Sequence, residues 1–254
     1  MKMKKRYQYR SAPLLLALFL ICLGVRILGQ KVNAAPPAAG KITGTVKLDG
    51  AAPHMKGIDM TKDPYCAKYH ASAPAHLENV AVGSGGGLEN VVLYLSEGLS
   101  ATAAAEVPSQ KVQVDQKGCQ YLPHVIAVDV GQQMEVITSD QTAHNIHPLP
   151  DMSTGNIGWN RSQPPGAPPF DSAWKGEEVA IPVKCNIHPW MHGYIAVVRG
   201  PYATTDSDGS FTIANVPPGS YTVTAWQEEY GKQTAKVTVA AATPATVDFT
   251  FKAK

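Results

Sequence analysis

Glu178-Val-Ala-Ile-Pro-Val-Lys-Cys185-Asn-Ile-His188-Pro-Trp-Met191-His-Gly-Tyr194-Ile-Ala-Val-Val198 decides how this chain is read. Glu178–Val183 and Tyr194–Val198 are short runs rich in β-branched residues and read as strands. Between them Cys185, His188 and Met191 stand at C-x2-H-x2-M spacing. A thiolate, an imidazole and a thioether thus share one inter-strand loop and can turn to a common centre. Soft sulfur, imidazole nitrogen and a weak axial methionine are what a mononuclear electron-transfer copper site asks for. The set lacks a second imidazole, and His144, in Ala143-His144-Asn145-Ile146-His147, is the candidate. A ligand from a separate strand would pin the loop to a rigid scaffold.

The rest of the chain repeats the strand pattern. Lys41–Leu48 alternates and ends at an Asp49-Gly50 turn; Leu88–Leu95, His124–Val130 and Met134–Thr138 read as further strands, and Lys111–Val114 opens another block. Ser162–Ser172, with four prolines, reads as a loop. Beyond Tyr202, the strands Phe211–Ile213, Tyr221–Trp226, Ala235–Val239 and Thr246–Phe251 are punctuated by Asp206-Ser-Asp-Gly209 and Val216-Pro-Pro-Gly-Ser220. Turn signals about every ten residues point to small β-sandwiches. The expected fold class is all-β. The expected division is 1–34 signal, 35–40 linker, 41–106 an N-terminal β region, 107–199 the metal-bearing domain and 200–254 a last β-sandwich.

The N-terminus reads as an address. Lys2, Lys4, Lys5, Arg6 and Arg10 precede the apolar run Ala12–Gly24, and Val32-Asn33-Ala34 offers small residues for cleavage, the layout of a secretory signal. Arg26 leaves the run short of the about 20 apolar residues a spanning helix needs; a retained N-terminal anchor is the competing reading and the one route to a membrane. Seven of the 22 basic residues and none of the 20 acidic ones lie in 1–34, so a formal net of +2 becomes −5 for the remainder. That balance excludes the clustered basic face of a nucleic-acid binder. The expected location is exported, periplasmic or extracellular.

Cysteine usage follows from the compartment. Without Cys22 in the signal, Cys66, Cys119 and Cys185 remain. An oxidising compartment favours pairing, and an odd count leaves one thiol over. Cys185 already has ligand spacing, so a Cys66–Cys119 disulfide is expected. Connectivity is not readable from sequence, and reduced Cys66 and Cys119, or pairing of either with Cys185, stay open.

Cys185-Asn-Ile-His188-Pro-Trp-Met191-His-Gly193 resembles the ligand loop of plastocyanin- and amicyanin-like cupredoxins, and His144-Asn145-Ile146-His147 resembles their upstream His-Asn segment. The resemblance covers about residues 111–198. It implies a Greek-key cupredoxin β-sandwich holding one mononuclear type 1 copper. His144, Cys185 and His188 would lie in the trigonal plane with Met191 axial, and Asn145 would tie the two ligand segments together. Lys41–Gly50 and Tyr202–Phe251 resemble the carboxypeptidase regulatory-like (transthyretin-like) β-sandwich, which brings no catalytic residues. The N-terminal block would then supply its first strand and the cupredoxin would be an insertion.

Blander readings stand beside these. His147 and His192 read as surface residues next to ligands. His124 reads as a satisfied structural histidine. Cys66-x3-His70 lacks the further ligands of a metal site. Pro189 and Trp190 would form an apolar rim where the edge of His188 reaches solvent. Together the expectations describe an exported type 1 copper protein that carries single electrons and is not an enzyme. A redox protein, a c-type cytochrome or dehydrogenase, would be its transient partner. The rival classes are a copper-binding and delivery protein, and an adhesion or scaffold module with a structural metal site. Zinc suits Met191 poorly. A Cys185 nucleophile lacks an identifiable oxyanion donor or orienting group.

Overall fold

A computed structural model describes residues 38–254; the expected signal, Cys22 and the first part of the linker lie outside them. The described chain is all-β, with one short α-helix, Pro64–Tyr69, among the described residues. No helix among them is long and apolar enough to cross a membrane.

The strands form two β-sandwiches, one interrupting the other in sequence. Gly40–Asp49 pairs antiparallel with Ser210–Val216 and parallel with Pro244–Thr246 and Phe249–Lys252. The facing sheet orders Tyr202–Thr204, Val92–Glu97, Gly219–Gln227 and Gly231–Val239. After Val92–Glu97 the chain leaves this sandwich and builds the second, returning at Tyr202–Thr204. The second joins a sheet ordered Val125–Asp129, His192–Val198, Glu178–Lys184, His144–Pro148, Arg161–Gln163 to one ordered Gln120–Leu122, Val112–Lys117, Met134–Thr138, Phe170–Ser172.

Period-two alternation sorts the side chains. Ile42, Val46 and Leu48 meet Leu93, Leu95, Val223, Phe211, Ile213, Phe249 and Phe251 in the first core. Val114, Val136, Ile146, Ile181, Val183, Ile195 and Val197 fill the second. Each such fully buried aliphatic contributes about 1.5–3 kcal/mol relative to exposure. A third cluster lies between the sandwiches. Val125–Asp129 is buried along its whole length, Ile126 and Val128 facing the second core while Val125 and Ala127 pack with Val92, Ala196 and Trp226. A strand covered on both faces loses its polar alternation, which is why Val125-Ile-Ala-Val128 is uninterruptedly apolar. Next to it, a Cβ on Gly193 would lie 2.5 Å from the His124 carbonyl oxygen, so this close approach needs glycine.

Several local expectations are corrected. Ser162–Ser172 is not loop throughout: Arg161–Gln163 and Phe170–Ser172 are edge strands, and the four prolines lie between them, where no ladder N–H is required. The strand expected from Leu88 begins at Val92, and that expected over Thr246–Phe251 is two strands split at Val247-Asp248. The segment after Gly50 carries the helix Pro64–Tyr69, capped by Asp63, whose Oδ1 accepts from the N–H groups of Tyr65 and Cys66. A disulfide joins Cys66 on this helix to Cys119 on the second sandwich. The bond is buried with Met60, against Trp190.

Candidate metal centre

Two strands and one loop bring the candidate ligands together. His144 opens His144–Pro148, while Cys185 and His188 follow Glu178–Lys184, its antiparallel neighbour. One donor atom each of His144, Cys185 and His188 lies within 4.8 Å of the others, and all three residues are buried. Met191 is buried in the same core as Cys185. The loop closes on itself, with Cys185 N–H donating to the Met191 carbonyl and Met191 N–H to that of His188. Asn145 Oδ1 accepts from Asn186 N–H at 2.7 Å and lies 3.4 Å from Cys185 Sγ, so it ties the His144 strand to the loop. The His188 N–H also approaches the sulfur, at 3.4 Å.

The histidine ring orientations are set from behind. His144 Nε2 is 2.8 Å from Asp140 Oδ2, and His188 Nε2 is 3.1 Å from Asp63 Oδ2. These carboxylates accept, so each ring keeps its Nε2 proton and turns Nδ1 forward. The two Nδ1 atoms face each other 2.9 Å apart, a spacing that admits one proton between them. Asp140 is itself fixed by the N–H groups of Gly118 and Cys119 and by the Tyr65 hydroxyl. Asp63 also accepts from the Thr142 hydroxyl.

The electrostatics favour a thiolate. Burial alone would raise the Cys185 thiol, but His144, His188 and the amides around the sulfur overcome it and bring it down to about 5. Burial likewise pulls His144 down, and the Asp140 and Cys185 charges reverse this and lift it to about 9. His188 is raised for the same kind of reason, against burial, by Cys185 and Asp63. Asp63 is held at about 2: burial acts against ionisation, while the Cys66 amide, His188 and Thr142 favour it. An anionic sulfur beside two forward-facing imidazole nitrogens, in a largely apolar pocket with Met191, fits a copper ion able to change oxidation state.

One expectation about this site is overturned. His188 is 2% exposed, and its outer edge does not reach solvent. The helix segment lies over it: Asp63 bonds its Nε2, and Cys66 Sγ is 3.9 Å away. Trp190, expected at an exposed rim, lies against the His188 ring with centroids 5.0 Å apart and packs on the disulfide cluster. Among the neighbouring histidines, His147 bonds Asn186, and His70 Nε2 bonds the Gly118 carbonyl. His192, expected at the surface, is half-buried beside His124 and Glu228. Sequence reasoning missed Asp63 and Asp140. Asp140, four positions before His144, carried a local signal; Asp63 carried none.

A family model of the carboxypeptidase regulatory-like domain matches residues 195–252. The match starts within His192–Val198 and leaves out Gly40–Asp49 and Val92–Glu97, which complete the two sheets of the first sandwich. No curated protein sequence matches the chain. Among solved structures, the chain is similar to a copper-containing nitrite reductase from Thermus scotoductus SA-01, at 20% identity and TM-score 0.31 over 40% of this chain and 25% of the reductase. It is similar to a purple cupredoxin from Nitrosopumilus maritimus, at 20% identity and TM-score 0.28 over 34% of this chain and 98% of that one. Amicyanin from Paracoccus versutus gives 17% identity and TM-score 0.31 over 41% and 96%. At these TM-scores the likenesses decide nothing about function, and the functional reading rests on the site.

Proposed function

We propose that the chain is an exported copper protein of the cupredoxin kind that passes single electrons between redox partners. His144, Cys185 and His188 would hold the metal, with Met191, buried in the same core, as the fourth candidate ligand. Bound copper would supply a reversible one-electron couple. The observation that carries this reading is the pair of Nδ1 atoms facing each other beside the buried thiolate, with both Nε2 atoms occupied by carboxylates. Because the ligands are held by hydrogen bonds independent of metal, they need little rearrangement between oxidation states.

The chain's residues divide the remaining work. Asn145 and the loop amides position the sulfur; Asp140 and Asp63 fix the imidazole tautomers; Met191 and Trp190 help exclude water. In this reading the protein acts as a carrier of single electrons rather than as an enzyme. The burial of His188 weighs against ready delivery of copper to an acceptor. It also directs electron exchange away from the His188 edge, to the exposed Asn186-Ile187 tip joined covalently to Cys185. The partner is a redox protein such as a c-type cytochrome or a dehydrogenase. The disulfide supports an oxidising, exported location. The first sandwich serves as a non-catalytic support into which the copper-bearing sandwich is inserted.

The test is the visible and electron paramagnetic resonance spectrum of the Cu(II)-loaded chain. An intense thiolate-to-copper absorption, lost in Cys185→Ser, is expected. A colourless Cu(II)-loaded protein would overturn the assignment.

A further inference from the structure

A second cluster of donors lies outside this centre. His124 precedes the strand Val125–Asp129, His192 opens His192–Val198, and Glu228 follows Gly219–Gln227 of the first sandwich. One donor atom from each lies within 4.8 Å of the other two. The side chains of His124 and Glu228 are each 3% exposed, and their Nε2 and Oε2 atoms are 2.7 Å apart. The rings of His124 and His192 meet edge to face with centroids 5.3 Å apart. Glu78 stands at the margin, its Oε2 3.8 Å from His124 Nδ1.

Two observations go beyond an ion pair. Glu228 Oε1 is buried without a hydrogen-bond partner, a costly arrangement for a carboxylate oxygen. His192 Nδ1 lies 3.1 Å from the Trp190 carbonyl, which only accepts, so Nδ1 carries the proton and Nε2 keeps a free lone pair. A backbone carbonyl that fixes the far nitrogen in this way is the usual support of a ligating imidazole. A cavity of about 10 Å³, lined by His76, Glu78, His124 and His192 among others, adjoins the cluster and has room for about one water-sized occupant.

We propose that His124, His192 and Glu228 form a second metal site, for a borderline divalent cation of the zinc or copper(II) type, bridging the two sandwiches. Two imidazoles and a carboxylate, without sulfur, suit such a cation and leave a position for Glu78 or water. Binding replaces the His124 Nε2–Glu228 Oε2 hydrogen bond by the cation; the ring's one proton moves through solvent to Nδ1, which faces Glu78 Oε2, and Glu228 Oε1 gains a partner. The site is independent of Cys185.

The test is a Zn2+ titration of the full chain against a chelating dye, in wild type, Cys185→Ser, Glu228→Gln and His192→Ala. Cys185→Ser should retain one bound Zn2+, and Glu228→Gln in that background should weaken it at least about tenfold. Glu228→Gln lies in the other sandwich and should leave the thiolate-to-copper absorption of the Cu(II)-loaded chain intact. His192→Ala should weaken the same equivalent; because it adjoins Met191, Glu228→Gln decides if the two disagree. Loss of all Zn2+ binding in a folded Cys185→Ser, or binding there indifferent to Glu228→Gln, would overturn the second site. Neither result touches the copper reading, which stands on the absorption of the Cys185 thiolate.

Discussion

The two histidine clusters use carboxylates in opposite ways. Around Cys185, Asp140 and Asp63 stand behind their imidazoles on Nε2, and the nitrogens they leave free point at the sulfur and at each other. Around His124, Glu228 stands among the donors, and a backbone carbonyl holds His192 from behind. A carboxylate behind a ring orients it and adds no charge to the centre's own donor set; a carboxylate within the set adds a hard oxygen ligand. The first arrangement suits a soft, redox-active ion and the second a borderline divalent cation. The difference also has a structural side. The first cluster lies at one end of a single core, whereas the second takes donors from both sandwiches.

The sharpest way to break this contrast is at the thiolate. Cys185→Ser should abolish the thiolate-to-copper absorption completely and leave the His124 cluster's Zn2+ binding unchanged, read by visible spectra and dye competition. A shared loss would show that the clusters are one system.

The next largest effect is expected at the cover over His188. Cys66 and Cys119 are 53 residues apart in sequence, and in the chain-entropy account closing such a loop stabilises by roughly 4 kcal/mol. Cys66→Ala with Cys119→Ala should therefore lower the free energy of unfolding by about this amount in a denaturant titration. In the same variant the Asp63 helix is no longer tethered, and hydrogen exchange should rise across Pro64–Tyr69 ahead of the strands. Unchanged exchange there would mean that the noncovalent tethers of the segment (Asp63–His188, Asp63–Thr142, Tyr65–Asp140 and His70–Gly118) hold the cover without the disulfide.

A smaller effect separates orienting from ligating carboxylates. Asp140→Asn retains shape but offers His144 Nε2 a less basic partner. A cost of about 10–100-fold in copper affinity, with the absorption band still present, is expected of a residue that acts through its histidine. Complete loss of the band in folded Asp140→Asn would assign Asp140 a more direct part.

The ligand loop was legible because its information is local: two β-rich runs, a tight loop between them and soft donors at fixed spacing. Placing His144 opposite Cys185 follows from pairing His144–Pro148 with Glu178–Lys184, which the sequence suggested only through the His-Asn segment. The cover was not legible. Nothing near Asp63 in sequence points to His188, a residue 125 positions away, and the exposure of His188 depends on where a polar segment with little strand pattern settles. The His124 cluster was obscured for a related reason. His124 and His192 read singly as a structural and a surface histidine and Glu228 drew no reading, and only the docking of one sandwich on the other brings them together. The edge strands at Arg161–Gln163 and Phe170–Ser172 are too short to outweigh the prolines between them.

A third buried carboxylate has no histidine and tests what the other two gain from theirs. Asp129 is 1% exposed; its Oδ2 accepts from Gly200 N–H at 3.0 Å while its Oδ1 has no partner. Burial pushes its carboxyl up to about 6, against the Gly200 and Val130 amides. Because the folded-state value lies above the unfolded one, the protonated form is favoured by folding. The group's full contribution is present below about pH 4 and is lost as pH rises through about 6. The difference amounts to about 3 kcal/mol. Asp129→Asn cannot ionise and keeps an acceptor for Gly200. It should match wild type near pH 4 and exceed it by about 3 kcal/mol at pH 8, measured by denaturant unfolding across that range. The Cys185 and His144 ionisations are common to both chains and cancel in the difference. Parallel pH profiles would mean that the Asp129 carboxylate is compensated in the folded chain as Asp140 is by His144, and the contrast between partnered and unpartnered carboxylates would fall.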